Sequence, residues 1–567
     1  MQQSPVNPLL PAARRVRRIA ACAVFGIAFG LAHAQVQVID SVDELLAAFA
    51  VGGAYEIVPG TYAVPEPLVA AGEVTIVGMG RESVQLEMHG GPIAVRVGEG
   101  TSVHLEGLRM VWAGDGPADL IVVRNGTLGL RSIDLGFAEA GTLETPDPWR
   151  PGGHGSALVL QGTSNAVTED VVFARNAGNT IEVLDDATLQ LVTPQVIDGH
   201  RGLVASGRAQ IEVGGGVFLD QFAQGVALIG EAQADFVQTA FGGNGVLDVE
   251  AGQYLESIRV GDNARASFTG GVLRAAPATA LGVGGGATVV VRGMRFEVNG
   301  AARPDLERSW SAVFVSDSAE VAVHDSSVTG SPGGAFTVRG AGTLVLDGVD
   351  VSGNGGFAHT SVSDRGQLAI QGGRFVGNAG AIFVGGEARA GIYEAELRDG
   401  VAHGVVVAQS GSVAIEGTVV AGHAERGLWV DGGASADVTG GAFEGNEMGV
   451  WLTGEATAFL TDVRVVGNRH SGVVLSGTAR AVVETSEVSG HASNGVAAIE
   501  GAAVIVRDST LRANVVNGVL VGGDATATLE RNAIEGAESG VRLESQGVAQ
   551  GVENTFAGNG MDVREVR

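Results

Sequence analysis

The sequence predicts an all-β fold, a single chain wound as a parallel β-solenoid with about 22–23 residues per coil. Two observations carry this. The line GVWLTGEATAFL at 449–460 returns as GVVLSGTARAVV from Gly472 and as GVLVGGDATATL from Gly518. Within each unit, Val, Ile, Leu, Ala and Thr alternate with a period of two between Gly, Asn and Asp, and no unit holds an apolar period of helix length.

The repeat sets the length of the fold. Aligned on the residue that opens the GVWLTG-type strand, the units start at Val405, Leu428, Val450, Val473, Val496, Val519 and Val541. Backwards, to within a residue, they start at Ala381, Phe357, Ala335, Ala312, Leu281, Ile258, Val226, Leu203, Ile181, Ala157, Leu120 and Ile93. A second short strand follows in each, as in Ala436-Asp437-Val438. So small a unit cannot bury a face alone, and stacking buries one. About 19 coils at ~4.8 Å each give a rod on the order of 90 Å. Leucine-rich repeats would show a Leu-x-x-Leu-x-Leu frame, and propeller blades about twice the period. Calcium-binding nonapeptides would repeat Gly-Gly-x-Gly-x-Asp, but the nearest stretch, 242–247, has Leu247 in place of the Asp.

Ahead of the repeat lies a targeting signal. Arg14, Arg15, Arg17 and Arg18 precede an apolar run at 19–34, short for a membrane span, that ends in Ala32-His33-Ala34. The expectation is a signal peptide at 1–34, cleaved after Ala34. Cys22 precedes the apolar run instead of following it, which argues against lipidation. The cleaved chain has no Cys and so no disulfides. No later segment is apolar enough to cross a membrane. Residues 35–92 then read as an N-terminal cap with the first coils, and 93–567 as the repeats.

Charge narrows the partners. Of 567 residues 63 are acidic and 35 basic, every basic one Arg, for a net charge of −28. Binders of nucleic acid or anionic membranes want a basic face, which this composition lacks.

The first coils carry a resemblance. YEIVPGTYAVPEPL (55–68) followed by EVTIVGMGRESVQL (73–86) resembles the opening of right-handed parallel β-helix proteins of the pectin-lyase-like superfamily. The resemblance implies a right-handed parallel β-helix with a short helix over its open end. DSVDELLAAFA (40–50) supplies that helix, with Ser41 and Glu44 as a capping box and Val42, Leu45, Leu46 and Phe49 as one apolar face. Such a cap covers strand edges that would otherwise recruit another chain.

Most polar residues of the repeat read as structural. Asn446, Asn468 and Asn514 share one turn position with His423 and His491, and Asn suits left-handed turns. The 11 His form no HxH or HxxxH pair, so no metal ligands are assigned, while calcium stays open as a cofactor. Asp185-Asp186 reads as a solvated turn, with cation binding as its alternative.

Function is sought where the repeat arrives late. Insertions at 136–155, 241–257 and 297–310 all precede the same repeat strand and so leave one corner of the rod. They hold Trp149, Arg150 and His154; Tyr254; and Arg303, Arg308 and Trp310. Between them the corner carries Arg175, Asn176, Asp198, His200, Arg201 and Asp220. Trp offers a flat apolar face to a sugar ring, and Arg a donor fork to carboxylate or sulfate. The expectation is an extracytoplasmic polysaccharide-binding or cell-surface protein, partnered by a glycan, in the periplasm, on the surface or secreted. A glycan-active enzyme and an adhesive rod are the alternatives.

The superfamily resemblance implies lyases, hydrolases and epimerases. The chain has no Lys for a Lys-base lyase, which leaves a calcium-dependent, Arg-based lyase. Gly153-His154-Gly155 precedes Asp185-Asp186, the reverse of the polygalacturonase order, and Asp147-Pro148-Trp149 lacks the His and second Asp of alginate epimerases. For catalysis, His154, His200 and Arg201 are the candidates, as base or carboxylate clamp.

Overall fold

The computed structural model describes residues 36–140, 153–248, 253–303 and 308–566. It is a parallel β-solenoid in which each coil contributes a strand to three sheets. In one coil these are Arg426–Val430, Ser435–Thr439 and Ala442–Glu444, each paired in parallel with its counterpart one coil on. We call these the first, second and third sheets. The first sheet has 21 strands, from Leu68–Val69 to Met561–Val566, so the coils number 21 where the repeat alignment gave about 19. At ~4.8 Å per coil the rod is about 95 Å long.

The register follows the aligned openings to within a residue, with two exceptions. Val95, not Ile93, pairs with Ile121. Thr360, not Phe357, pairs with Phe336, and the ladder to the next coil is irregular between Ala358 and Thr360. Phe357 is 83% exposed at the corner, so the alignment mistook an outlying aromatic for an inward one.

The helix Val42–Val51 closes the N-terminal end. Ser41 Oγ accepts from the Glu44 amide, Glu44 Oε2 accepts from the Asp40 amide, and Leu45, Ala48 and Phe49 are buried on the coil stack. Gly52 ends it at φ 83°, where a Cβ would lie 2.9 Å from the Glu73 carbonyl oxygen.

Inside, each strand sends alternate residues to the core. Under the second insertion the core is aromatic: Phe236 stacks on Phe268 at 4.9 Å and Phe218 on Phe241 at 5.5 Å, with edge contacts between the two pairs.

Side chains at the turns stitch coil to coil. Between the third and first sheets, the amides of His423 and Asn446 donate to Asn446 Oδ1 and Asn468 Oδ1, each at 2.9 Å. Asn446 Nδ2 in turn donates to the Val420 carbonyl. His423 and His491 occupy the same ladder, each with Nε2 on the carbonyl of Leu397 or Val465. Buried backbone groups at a turn need partners, and this ladder supplies them. A second ladder, not visible in the sequence pattern, links Ser486, Ser509, Asn532 and Asn554 between the second and third sheets.

The turn after the first sheet follows a third rule. A Gly in one coil donates its N–H to an acidic or amide side chain in the next: Gly162 to Asp185, Gly230 to Asp262, Gly285 to Asp317 and Gly340 to Asp364. Asp185 therefore has a structural partner, and Asp186 pairs with Arg208.

Candidate functional site

The three insertions leave the corner between the third and first sheets. Their neighbouring first-sheet strands are Leu158–Gln161, Ile258–Val260 and Val313–Val315, the fourth, eighth and tenth of the 21. Phe241 and Glu297 still belong to third-sheet strands, so the second and third insertions are narrower than the spacing implied. Each contains an antiparallel hairpin, Val246–Asp248 with Gln253–Leu255 and Ala301–Arg303 with Arg308–Trp310. Arg303 and Arg308 are backbone register partners in the second hairpin. Trp149 and Arg150 lie outside the described residues.

At the foot of the first insertion, three of the sequence candidates meet. His154, His200 and Arg201 line one open recess of about 500 Å3, together with Asn179 and Glu182. Asp119 and His154 are both buried, and His154 Nδ1 lies 2.7 Å from Asp119 Oδ2. A carboxylate only accepts, so the pairing sets the proton on Nδ1. Asp119 Oδ1 also accepts from the amides of Gly155 and Ser156. His154 Nε2 is buried with no hydrogen-bond partner among the described residues.

A chain of polar side chains continues along the rod. Ser156 Oγ and Asn179 Nδ2 both donate to Glu182 Oε1, at 2.8 and 3.2 Å. Arg201 donates from Nε to Gln224 Oε1 and from a terminal nitrogen to Asn179 Oδ1. His200 stacks on Phe222 at 5.4 Å. Burial, and then the Arg201 charge, holds His200 below its ordinary imidazole value. Close by, Asn176 Nδ2, Thr180 Oγ1 and Gln221 Oε1 are also buried without partners among the described residues. Native folds leave few such atoms, and four of those in the described residues, counting His154 Nε2, lie near this corner.

Arg175, Asp198 and Asp220 are placed differently. Each directly follows a third-sheet strand with a left-handed backbone, at φ 57°, 54° and 54°, the position filled by Gly at 422, 445 and 467. Arg175 and Asp198 line a smaller hollow of about 230 Å3 with Arg109, Asp134 and Phe137. Arg175 also lies over the Phe137 ring. Asp220 sits beneath Gly243, where a Cβ would come 2.2 Å from its Oδ1.

Farther along, Tyr254 from the second insertion meets Trp310 from the third, with ring centroids 6.1 Å apart. Sequence reasoning missed Asp119, Glu182, Phe137, Phe222 and Phe357. Asp119 carried a usable signal, one acid at the head of the apolar run Leu120 to Val123. Glu182 carried none, because its Ser156 partner comes from the preceding coil and the Asn179 contact within its own strand has no distinctive spacing. Among the described residues no cluster of three His, Cys, Asp or Glu could hold a metal, and no helix is long and apolar enough to cross a membrane.

No curated protein matches the chain. Among solved structures it is similar to the catalytic unit of a thermostable GH87 α-1,3-glucanase from Streptomyces thermodiastaticus strain HF3-3, at 15% identity and TM-score 0.39. That match covers 70% of this chain and 63% of the glucanase unit. A mutant of the periplasmic alginate epimerase AlgG is similar at 11% identity and TM-score 0.35, covering 64% of this chain and 78% of that one. Residues 380–559 match the family model described as a right handed beta helix region, and the described residues wind as a right-handed parallel β-helix.

Proposed function

We propose that this protein is exported and binds a polysaccharide laid along the corner that carries the three insertions. One observation supports this above the rest. Of the five large aromatics exposed among the described residues, Phe137, Phe222, Tyr254 and Phe357 stand on that corner, and only Phe459 stands elsewhere. From the coil of Phe137 to that of Phe357 is about 38 Å at ~4.8 Å per coil, a length for a polymer. Exposed ring faces suit the C–H faces of sugars, and the Arg201 recess supplies hydrogen bonds that orient them. Trp149, Arg150, Arg303, Arg308 and Trp310 extend the same edge in this reading.

A binding panel tests it. The protein without residues 1–34 is titrated with alginate, polygalacturonate and soluble α-1,3-glucan, with and without calcium. Binding that weakens at least tenfold in Arg201→Ala and in Trp310→Ala supports the reading. A folded sample that binds none of the three sinks it, and so does binding indifferent to both substitutions.

The Asp119–His154 pair favours a second reading, a glycan-active enzyme in which His154 moves a proton on the bound sugar. Turnover would then disappear in His154→Gln while binding persists. Unsaturated uronate absorbance and new reducing ends report it.

A further inference from the structure

Beyond the insertions the outer face of the first sheet carries a feature of another kind. Trp429 and Trp451 occupy paired outward positions on adjacent coils, with rings 5.7 Å apart and 19° from parallel. His403 packs on Trp429 at 5.2 Å. The Arg426 guanidinium lies 4.0 Å from the Trp451 ring centre and 5.4 Å from that of Trp429. The chain has only five Trp, and nothing in the core depends on these two, since both point away from it.

Most polar groups of the cluster already serve one another, although Arg426 Nε is buried without a hydrogen-bond partner among the described residues. Arg426 donates to Glu425 Oε2 at 2.9 Å, and His403 Nε2 lies 3.1 Å from the same oxygen. Trp429 Nε1 donates to Thr453 Oγ1, which donates to Asp431. With His403, Arg426 and the neighbouring indole already packed on the rings, what the cluster mainly offers a ligand is the half-exposed apolar surface that remains of the two indoles. That matches the apolar face of a pyranose and gives a charged group little to bind.

We propose that Trp429 and Trp451, backed by Arg426 and His403, form a second contact station for the same polysaccharide, holding its sugar rings by stacking and not by charge. This rests on the glycan-binding reading. The Trp429 strand is nine coils from that of Arg201, about 43 Å at ~4.8 Å per coil. A polymer engages both places at once, and a short oligosaccharide engages only one. Linked contacts raise affinity through effective concentration, so losing one station is felt mainly by the polymer.

The test compares wild type, Arg201→Ala and the double variant Trp429→Ala/Trp451→Ala. Each is titrated with alginate, polygalacturonate and soluble α-1,3-glucan as polymer and as hexasaccharide, at low and high salt. The expected result is a polymer affinity at least tenfold lower in the double variant, with a loss that salt does not change. Hexasaccharide bound at the Arg201 recess stays within about twofold of wild type, which also shows that the variant is folded. As a second readout, saturating polymer protects both indoles of the wild-type protein from N-bromosuccinimide. Wild-type polymer affinity in the double variant, or equal indole oxidation with and without polymer, overturns the station. If Arg201→Ala is weakened in that same experiment, the glycan-binding reading survives without it. If wild type binds none of the three polymers, both fall together.

Discussion

His491 accepts at Nδ1 the backbone N–H of Asn468, 3.0 Å away and one coil below. It does there what Asn468 Oδ1 does for Asn446 and Asn514 Oδ1 does for His491 itself. An imidazole has replaced a carboxamide in a ladder that asks only for one acceptor and one donor. The replacement brings a titration that Asn lacks. Burial pushes His491 down to about 4 from an ordinary 6.5, against the opposing pull of its bond to the Val465 carbonyl.

The sign of the consequence follows. The unfolded chain takes up this proton near the ordinary imidazole value, and the folded chain only near 4. The unfolded state therefore binds more protons between the two, and stability drains as pH falls through that window. His491→Asn should fit the ladder and remove the drain. From pH 7 to pH 5 the variant should lose about 2 kcal/mol less than wild type, at 1.36 kcal/mol per pKa unit. Urea unfolding of both proteins across that range checks it, and parallel curves would show that His491 is not buried as a neutral ring.

The Gly–Asp rule at the first turn gives a second expectation. Gly285 has φ 67°, and a Cβ on it would lie 2.7 Å from the Asp262 carbonyl oxygen. Gly285→Ala should cost about 2 kcal/mol or more, combining the left-handed penalty with a backbone clash. Its partner Asp317 stands at φ 58° and accepts the Gly285 N–H at 3.0 Å. Asp317→Ala should cost about 1–2 kcal/mol, and Asp317→Gly less, because Gly restores the backbone freedom and only the bond is lost. Thermal midpoints that order the two Asp317 variants the other way would put the strain elsewhere.

These turns also show where the sequence was readable. The strand period and the Asn/His ladder were legible because every coil repeats the same local demand. Coil number came out two short at the ends, where Leu68–Val69 is only two residues long and the last coil, Met561–Val566, lies outside the aligned openings. The three-residue third-sheet strands, such as Ala442–Glu444, were too short to separate from the turns around them. His154 draws attention in the sequence because it stands where the repeat arrives late, and His200 and Arg201 because they lie on the same corner. Asp119 and Glu182 are not legible in that way, since their contacts with His154 and Ser156 join residues 26–37 apart along the chain that become adjacent only after winding.

The aromatic core beneath the second insertion should be the most sensitive part of the rod. Phe236 touches Phe218, Phe241 and Phe268 and is 1% exposed. Phe236→Ala removes one member of a close-packed group and leaves a cavity that the sheets above and below restrict from collapsing. The expected cost is about 3–5 kcal/mol. Because coils stack as near neighbours, opening should begin there. Hydrogen exchange would show amides of strands 233–237 and 265–269 losing protection before those of 435–439.

Asp119 offers the sharpest test of the recess. Its carboxylate is fully buried and accepts at least three bonds, among them those from the amides of Gly155 and Ser156 and from His154 Nδ1. Asp119→Asn keeps the shape but replaces one accepting oxygen with a donor. Either the two amides or the imidazole must then lose a partner. Leaving a buried donor unsatisfied costs about 1–3 kcal/mol, so a fall of that size in unfolding free energy is expected. The imidazole is the freer of the two, since its Nε2 has no partner among the described residues to hold the ring. It should turn over or shift its proton to Nε2, while the backbone amides keep the remaining oxygen. Nitrogen-15 chemical shifts of His154 distinguish the tautomers. An unchanged Nδ1–H signal in Asp119→Asn would mean that something other than Asp119 fixes the ring.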